Sequence, residues 1–385
     1  MQNVHELRKF VAPEFIFGID ARNLIGRYAA NLGAEKVLIV TDPGLIAAGW
    51  VDDVEKCLKE EGIPWHVFSD VSPNPRETQV MAGAEVFIRE SCNSIIAVGG
   101  GSPLDCAKGI GIVAANGGHI LDYEGVDEVP LPCAPLICIP STSGASADVS
   151  QFAIISDTRR RVKIAIVSKM VVPDLALIDP RVTVTMSHDL TCFTGMDALV
   201  HAIEAYVSNA SSPITDLHAL EAIKLIQQNL IPAIEFPHNL EYRTKMMLAS
   251  LYAGLAFSNA SLGAVHALAH SLGGYVDAPH GEANAILLDH VIYFNFAASP
   301  EKFRQIGRIF GAGITGDPFA DRDSLCNAIH TFKKAAGISR NLSELGVTVS
   351  DIAILADNAL KDACLVTNPK ELSLDDLKGI YERAL

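Results

Sequence analysis

Long hydrophobic runs are absent from this sequence, which excludes an ordinary membrane-spanning helix. Such a helix needs roughly 18 uninterrupted apolar residues, whereas runs such as residues 131–140 stop after about ten. The start of the chain, MQNVHELRKFVAPEF, also lacks the basic-then-apolar pattern of an export signal. We therefore expect a cytoplasmic protein without a membrane partner.

Paired cysteines and positive charge are also scarce. The eight cysteines are scattered, with no CxxC pair, which indicates reduced thiols rather than a disulfide framework. Only 30 Lys and Arg residues oppose 45 Asp and Glu residues, giving a formal net charge of -15. Because an acidic field repels phosphate backbones, we expect no nucleic-acid partner.

The composition and the hydrophobic pattern of the 385-residue chain change near residue 185. The first half alternates short β-branched runs with amphipathic stretches, which indicates an α/β domain with a Rossmann-like parallel sheet over residues 1–185. The second half is rich in Ala and Leu at helical spacing, which predicts an all-helical domain over residues 186–385. The pattern predicts strands at 37–41, 65–68, 94–98 and 136–139, helices at 51–61 and 78–91, and a hairpin formed by 152–155 and 162–167.

A glycine-rich turn follows the predicted strand 94–98. Gly99, Gly100 and Gly101 let the backbone approach a ligand closely, and the helix after them would direct free amides at a diphosphate. We expect Ser102 and Asp105 to form a capping box, with Pro103 as the first helical residue. The alternative is that such a turn only makes room for packing.

The residues that would choose between NAD and NADP do not follow the Rossmann fingerprint. GxGxxG is absent, but Asp42 ends an earlier strand, where a carboxylate accepts from a ribose hydroxyl and repels a 2′-phosphate. This predicts NAD, and a plain turn residue before Pro43 is the alternative. The hydroxyl-rich turn after Pro140 is explained equally well as a polar turn, and we assign no function to the basic run 159–163.

Histidines cluster in the second half. Four of the chain's 12 histidines fall within residues 266–290, and a further Asp197 and His201 stand at i and i+4 on an apolar helix, followed one turn later by Glu204. A buried Asp is costly unless paired, and one carboxylate with several imidazoles suits Fe(II) or Zn(II). The alternative is a set of hydrogen-bonded core histidines, and His188 and His290 are interpreted in that way.

At this point the sequence resembles the iron-containing (group III) alcohol dehydrogenases, which share a dehydroquinate-synthase-like fold. The resemblance covers nearly the whole chain and rests on VLIVTD, SPNP, GGGSPLDCAK, TGMDALVHAIEAYVS, GLAFSNASLGAVHALAHSLGG and PHGEANAILL. It implies the following site residues: metal ligands Asp197, His201, His266 and His280; a proton-relay His270; cofactor contacts Asp42, Asn74, Gly99, Gly100, Ser102, Asp105, Thr142 and Lys163; and pocket-lining Phe152 and Phe257.

The resemblance implies reversible hydride transfer between a small primary alcohol and NAD, assisted by Fe(II), or by Zn(II), and a homo-oligomer. Where the family reads PTTAGTGSEV, this chain reads PSTSGASADV, so the hydroxyl usual at position 145 is replaced by Ala145. That departure leaves two alternatives open. One is a zinc-dependent polyol dehydrogenase, and the other is a regulatory protein that binds NAD and alcohol with little turnover.

Overall fold

The computed structural model describes residues 9–385. The first eight residues, which belong to the predicted first domain and to the segment expected to lack an export signal, lie outside the described residues. Two compact units divide the chain: Val11–Met186 forms the first, and Ser187–Leu385 forms the body of the second. The predicted division at residue 185, as a statement about separate domains, stays a prediction.

Strands occur only in the first unit of the described chain. They are β1 (Glu14–Phe17), β2 (Val37–Val40), β3 (Trp65–Phe68), β4 (Ser94–Gly99), β5 (Gly125–Val126), β6 (Leu136–Pro140), β7 (Phe152–Asp157), β8 (Val162–Val167) and β9 (Leu175–Ile178).

Helices occur in both units. Those of the first are α1 (Ile25–Asn31), α2 (Pro43–Ala47), α3 (Trp50–Glu60), α4 (Glu77–Arg89) and α5 (Gly101–Asn116). Those of the second are α6 (His188–Val207), α7 (Pro213–Glu235), α8 (Leu240–Ala260), α9 (Ala264–Val276), α10 (His280–Asn295), α11 (Pro300–Ile309), α12 (Pro318–Ala335), α13 (Ile352–Leu360) and α14 (Leu374–Ala384). Among residues 9–385, no single helix is long and apolar enough to span a membrane, and one sharply bent pair, α8 with α9, passes that test jointly.

The main sheet has six parallel strands in the order β1-β9-β6-β4-β2-β3, and a small second sheet has the order β5-β8-β7. After β2 the chain adds β3 on one side, and it then adds β4, β6 and β9 in turn on the other side. The strand order therefore reverses between β2 and β4. In open α/β sheets, ligands bind beyond the carboxyl ends of the strands at such a point.

Side-chain alternation along the strands divides the core of the first unit into two layers. In β2, Val37 and Ile39 pack with α1 and α3, whereas Leu38 and Val40 pack with α4 and α5. Because both faces are covered, the strands consist of continuous apolar residues. The predicted fold class, a Rossmann-like α/β part followed by an all-helical part, is confirmed.

Three strands, β1, β5 and β9, were not predicted from the sequence. β1 and β9 have only four residues each, and they pair with one another across the sequence, with Glu14 opposite Leu175. β5 has two residues and is recognisable only from its pairing with β8. β5 is too short to have a periodicity of its own, and β1 pairs with a strand about 160 positions further along the chain, which the local pattern does not show.

Candidate functional site

The predicted cofactor-binding residues of the first unit follow neighbouring strands of the main sheet. Asp42 follows β2, Asn74 follows β3, the turn 99–102 follows β4, and Thr142 follows β6. These four strands are adjacent and parallel, so their carboxyl ends lie along one edge. The predicted contacts are therefore brought to the edge where the strand order reverses.

The glycine turn is closely packed. Gly99 has φ +157°, and a Cβ there would lie 2.5 Å from Pro103. A Cβ on Gly100 would lie 3.1 Å from Cγ2 of Thr142, and one on Gly101 would lie 2.9 Å from Cβ of Ala145. Side chains at Gly100 and Gly101 would push the turn away from the 141–145 loop, and one at Gly99 would collide with Pro103, so packing requires glycine at these positions.

The prediction that Ser102 and Asp105 form a capping box is wrong. Helix α5 begins at Gly101, two residues earlier than expected, and its N-cap, Gly100, makes no side-chain capping bond. The Asp105 carboxylate instead accepts from the backbone N–H of Ile154 in β7 at 3.2 Å. The first amides of α5 are therefore left without a side-chain cap, which suits an anion-binding helix end.

Asp42 acts as a helix cap in this structure. Its Oδ1 accepts from the backbone N–H groups of Gly44 and Leu45 at 2.8 and 3.1 Å, at the start of α2. The turn role considered from the sequence is therefore present. A carboxylate has about four lone-pair sites in all, so one oxygen used in this way does not exhaust its capacity to accept from a ribose hydroxyl.

The loop that departs from the family pattern contains backbone strain and buried charge. Ser146 has φ +50°, in the left-handed region that favours glycine. Burial raises the pKa of Asp148 to about 6. The fully buried Lys108 donates from Nζ to the carbonyl oxygens of Ser150 and Phe152 at 2.9 and 2.6 Å, and so fixes the end of this loop to α5.

Asn74 and Lys163 belong to neighbouring segments. Asn74 is half-buried with φ +57°, and the next residue, Pro75, accepts from the N–H of Ser156 at 2.8 Å. Lys163 lies directly opposite Ser156 in the β7–β8 ladder. The two predicted cofactor contacts therefore flank the same residue of β7.

In the second unit, three helices contribute the predicted metal ligands. Asp197 and His201 lie one turn apart on α6, His266 lies in the first turn of α9, and His280 is the first residue of α10. Asp197, His201 and His266 are buried, and their ligand atoms lie within 4.8 Å of one another. The Nε2 atoms of His266 and His280 lie 3.9 and 3.8 Å from Oδ1 of Asp197. The structure thus brings all four residues together.

The side-chain amide of Asn284 lies within this group. Its Nδ2 donates to Oδ1 of Asp197 at 2.7 Å and lies 3.2 and 3.3 Å from Nε2 of His266 and His280. Its Oδ1 is buried and has no hydrogen-bond partner among the described residues. Lone pairs that converge in this way, beside an orphaned amide oxygen, fit a divalent cation.

The protonation state of His266 also favours a metal site. Burial, with the neighbouring His201, holds the pKa of His266 well below its ordinary value, so its imidazole is neutral, as a metal ligand must be. Nδ1 of His266 pairs with Glu204 at 2.6 Å. Burial raises the pKa of Glu204 to about 7, against the opposing effect of backbone donors from Val265 and Gly263.

His270 lies beside the four residues rather than among them. Its ring stacks on that of His280, with centroids 5.3 Å apart, and its Nδ1 pairs with Oδ2 of Asp362 at 2.8 Å. Burial disfavours the charged form of Asp362, but His270 and the Cys364 amide outweigh this and lower the pKa of Asp362 to about 2. Sequence reasoning missed Asp362, because it lies 92 positions after His270 in a segment without a motif.

Asn284 was also missed, although a signal existed. It stands four residues after His280 on α10, the same i, i+4 spacing that drew attention to Asp197 and His201. Of the two predicted pocket residues, Phe257 is buried and stacks on His201 with centroids 4.3 Å apart. Phe152 is buried in β7 of the first unit.

Two family models match consecutive parts of the chain. The model described as iron-containing alcohol dehydrogenase matches residues 12–180, and the model described as Fe-containing alcohol dehydrogenase family, C-terminal, matches residues 191–385. The 1,3-propanediol dehydrogenase of Klebsiella pneumoniae is 42% identical over 96% of this chain and 96% of that protein. The NAD-dependent methanol dehydrogenase of Bacillus methanolicus is 38% identical over 98% of this chain and 99% of that protein.

Solved structures agree with these relatives. A 1,3-propanediol oxidoreductase superposes with a TM-score of 0.94 at 40% identity, covering 99% of this chain and 100% of that chain. A sulfoacetaldehyde reductase from Bifidobacterium kashiwanohense, solved in complex with NAD+, superposes with a TM-score of 0.86 at 31% identity, covering 98% and 99%.

A Rossmann-like unit followed by a helical unit with a buried carboxylate and imidazole cluster defines a metal-dependent dehydrogenase architecture. The chain belongs to the iron-containing alcohol dehydrogenase family, and it is therefore an oxidoreductase. The resemblance stated from the sequence is confirmed. The zinc-dependent polyol dehydrogenase and the regulatory protein are not favoured by these relatives.

Proposed function

We propose that this protein catalyses the reversible oxidation of a small primary alcohol to its aldehyde with NAD as hydride acceptor. In the proposal, Asp197, His201, His266 and His280 hold Fe(II). The observation that carries it is the convergence of Asp197, His266 and His280 on the Asn284 amide, with the ligand atoms of His201, Asp197 and His266 within 4.8 Å of one another.

The set of donor atoms explains why this site suits activation of a hydroxyl group by a metal ion that keeps its oxidation state. Three neutral imidazoles and one carboxylate leave a divalent ion with a net positive charge, and a bound ion of this kind lowers the pKa of a nearby hydroxyl group. The wall formed by Phe257 against His201 keeps one side of the site apolar. An apolar wall excludes water and favours a short alcohol.

His270 is the proposed proton carrier. Asp362 accepts from its Nδ1, which leaves Nε2 as the nitrogen able to accept a proton from the alcohol, and the ribose hydroxyls offer a second route. The stacking of its ring on that of His280 supports this role, because it places His270 directly beside a proposed metal ligand.

The first unit supports NAD as the acceptor. The uncapped start of α5 after Gly99 and Gly100 suits a diphosphate, with Ser102 and Thr142 nearby. Asp42 suits a ribose hydroxyl and disfavours a 2′-phosphate. Asn74 and Lys163 are further proposed contacts, and Asp105 contributes indirectly, by fixing β7 to α5.

The test is NADH formation, measured by its absorbance, with protein purified without oxygen and loaded with Fe(II). The substrates are a panel of short alcohols and diols, with the corresponding aldehydes for the reverse direction. His266→Ala should abolish alcohol-dependent turnover. His188→Ala removes an exposed imidazole from the first turn of α6 and is the matched control, which should retain it. Absence of turnover in the iron-loaded wild type, despite NAD binding, would refute the proposal.

A homo-oligomeric state and a cytoplasmic location, both drawn from the sequence, belong to the same proposal. Light scattering of the purified protein tests the first, and fractionation of the source cells tests the second. A monomer at micromolar concentration would contradict the first expectation.

A further inference from the structure

Glu204 is a buried carboxylate that the proposed mechanism does not use. It lies on α6, three residues after His201, and its side chain reaches the beginning of α9. Oε1 accepts from the N–H of Val265 at 2.6 Å, and Oε2 accepts from the N–H of Gly263 at 3.1 Å. Oε2 also lies 2.6 Å from Nδ1 of His266.

These contacts determine which nitrogen of His266 carries its proton. A backbone N–H can only donate, so both oxygens of Glu204 act as acceptors, and in the carboxylate form neither has a proton to donate to His266. Nδ1 of His266 completes the set as a third donor, and a neutral imidazole has only one N–H. Nε2 is then left with a free lone pair, and Nε2 is the atom that lies 3.9 Å from Asp197.

We infer that Glu204 is a positioning residue that presets His266 in the Nδ1–H form and thereby increases the affinity of the site for a divalent metal ion. The inference rests on the proposed metal site. Carboxylates that accept from the second nitrogen of a ligating histidine orient the ring and raise its basicity. Here the same carboxylate also holds the two amides that precede and follow Ala264, so ring and helix end are fixed together.

A purely structural role for Glu204, as a cap on α9, is the competing explanation. The chain provides a direct comparison, because Asn368 caps the same helix end and, among the described residues, makes no hydrogen bond to His266. Its Oδ1 accepts from the N–H of Ala264 at 3.1 Å and from Nδ2 of Asn295 at 2.8 Å. A variant at Asn368 therefore removes a cap and leaves the Glu204–His266 contact in place.

The first experiment reads out the wild-type protein and does not depend on any variant at Glu204. Long-range proton–nitrogen correlation spectra of metal-free protein labelled with 15N-histidine report the tautomer of each ring, and His266→Ala assigns the signal. We expect His266 to be neutral and protonated at Nδ1. A signal protonated at Nε2 would overturn the inference whether or not the protein turns over alcohols.

The second experiment measures affinity for Zn(II) and Co(II) by competition with a chelator, together with the visible spectrum of the Co(II) form. Glu204→Gln keeps the side-chain volume but replaces one carboxylate oxygen with an NH2 group, which donates. In one orientation of the amide that donor faces Gly263 and His266, and in the other it faces Val265. We expect it to move His266 toward the Nε2–H form and to weaken metal binding by about 10- to 100-fold.

Asn368→Ala is the control in the same assay. We expect it to lower the melting temperature while leaving metal affinity within about threefold of the wild type. Equal losses of affinity in Glu204→Gln and Asn368→Ala would show that Glu204 acts only as a cap. Unchanged affinity in Glu204→Gln would overturn the inference, and if that variant fails to fold, the wild-type tautomer still decides. Metal binding without alcohol turnover would contradict the proposed function alone.

Discussion

At Gly281 helix α10 packs directly against the backbone of α6, and replacing this glycine with alanine should disrupt the proposed metal site without removing a ligand. A Cβ at this position would lie 2.2 Å from the carbonyl oxygen of Phe193 and 2.7 Å from its carbonyl carbon. Ordinary contact begins at 3.4 Å, so the two helices must separate by about 1.2 Å, the difference between 3.4 and 2.2. Both atoms are backbone, so no side chain can rotate away.

The consequences follow from what the two helices carry. Helix α6 holds Asp197 and His201, and α10 holds His280, whose Nε2 lies 3.8 Å from Oδ1 of Asp197. Overpacking of this kind costs about 1–3 kcal/mol, and a displacement near 1 Å is enough to impair a preorganised site. We expect Gly281→Ala to lose about 2–3 kcal/mol of unfolding free energy and at least about tenfold in metal affinity.

The assay is chemical unfolding of the metal-free protein, together with chelator competition for Zn(II). Gly379→Ala is the matched control, because Gly379 lies inside α14 and a Cβ there would meet Phe294 at an ordinary 3.5 Å. Alanine is favoured over glycine in a helix interior by about 1 kcal/mol, so this control should be neutral or stabilising. The reasoning would be refuted if Gly281→Ala matched the wild type in both stability and affinity.

Three further predictions concern other parts of the molecule. Ser146→Gly should raise the unfolding free energy by about 0.5–1 kcal/mol. The left-handed backbone at φ +50° costs an L-residue about 1–2 kcal/mol, and the greater conformational entropy of glycine in the unfolded chain offsets part of the gain from removing that strain. A less stable variant in urea unfolding would contradict this. Asp179→Ala should lose about 3 kcal/mol, because it leaves the guanidinium of Arg22, 2.5 Å from the Asp179 carboxylate, without its buried partner; the exposed Asp189→Ala should lose almost nothing in the same assay. Zn(II) at 100 times its dissociation constant should stabilise the wild type by about 2.7 kcal/mol, and calorimetry that finds no shift would argue against a preformed metal site.

Features encoded within one element could be predicted from the sequence. The i, i+4 spacing of Asp197 and His201 indicated the face of α6 that meets His266 and His280, and the alternation of strands and helices predicted the parallel sheet. Features that depend on chain segments far apart could not be predicted. Asp362 meets His270 across 92 positions, and β1 is a strand only because β9 lies beside it. The capping-box prediction failed for the same reason, since Asp105 is engaged by β7, 49 positions away.

A glycine near one proposed ligand in each of three helices helps to explain how these helices produce one site. A Cβ on Gly195, two residues before Asp197, would lie 2.3 Å from Cδ1 of Leu230 in α7, so that side chain would have to move. A Cβ on Gly263, three residues before His266, would lie 3.0 Å from Oε1 of Glu204 and 2.9 Å from Oδ1 of Asn368. Gly281 directly follows His280 and faces the backbone of α6.

Each of the three helices is thus closely packed at a glycine within one turn of a proposed ligand, against backbone at Gly281 and against side chains at Gly195 and Gly263. A metal site assembled from three helices needs ligand positions fixed to about 0.5 Å, and contact between backbone and packed side chains is stiffer than contact between flexible side chains. The glycines therefore permit the close packing of the helices that brings the histidines and Asp197 together. Substituting any of the three glycines should impair metal binding even though none of them can coordinate an ion.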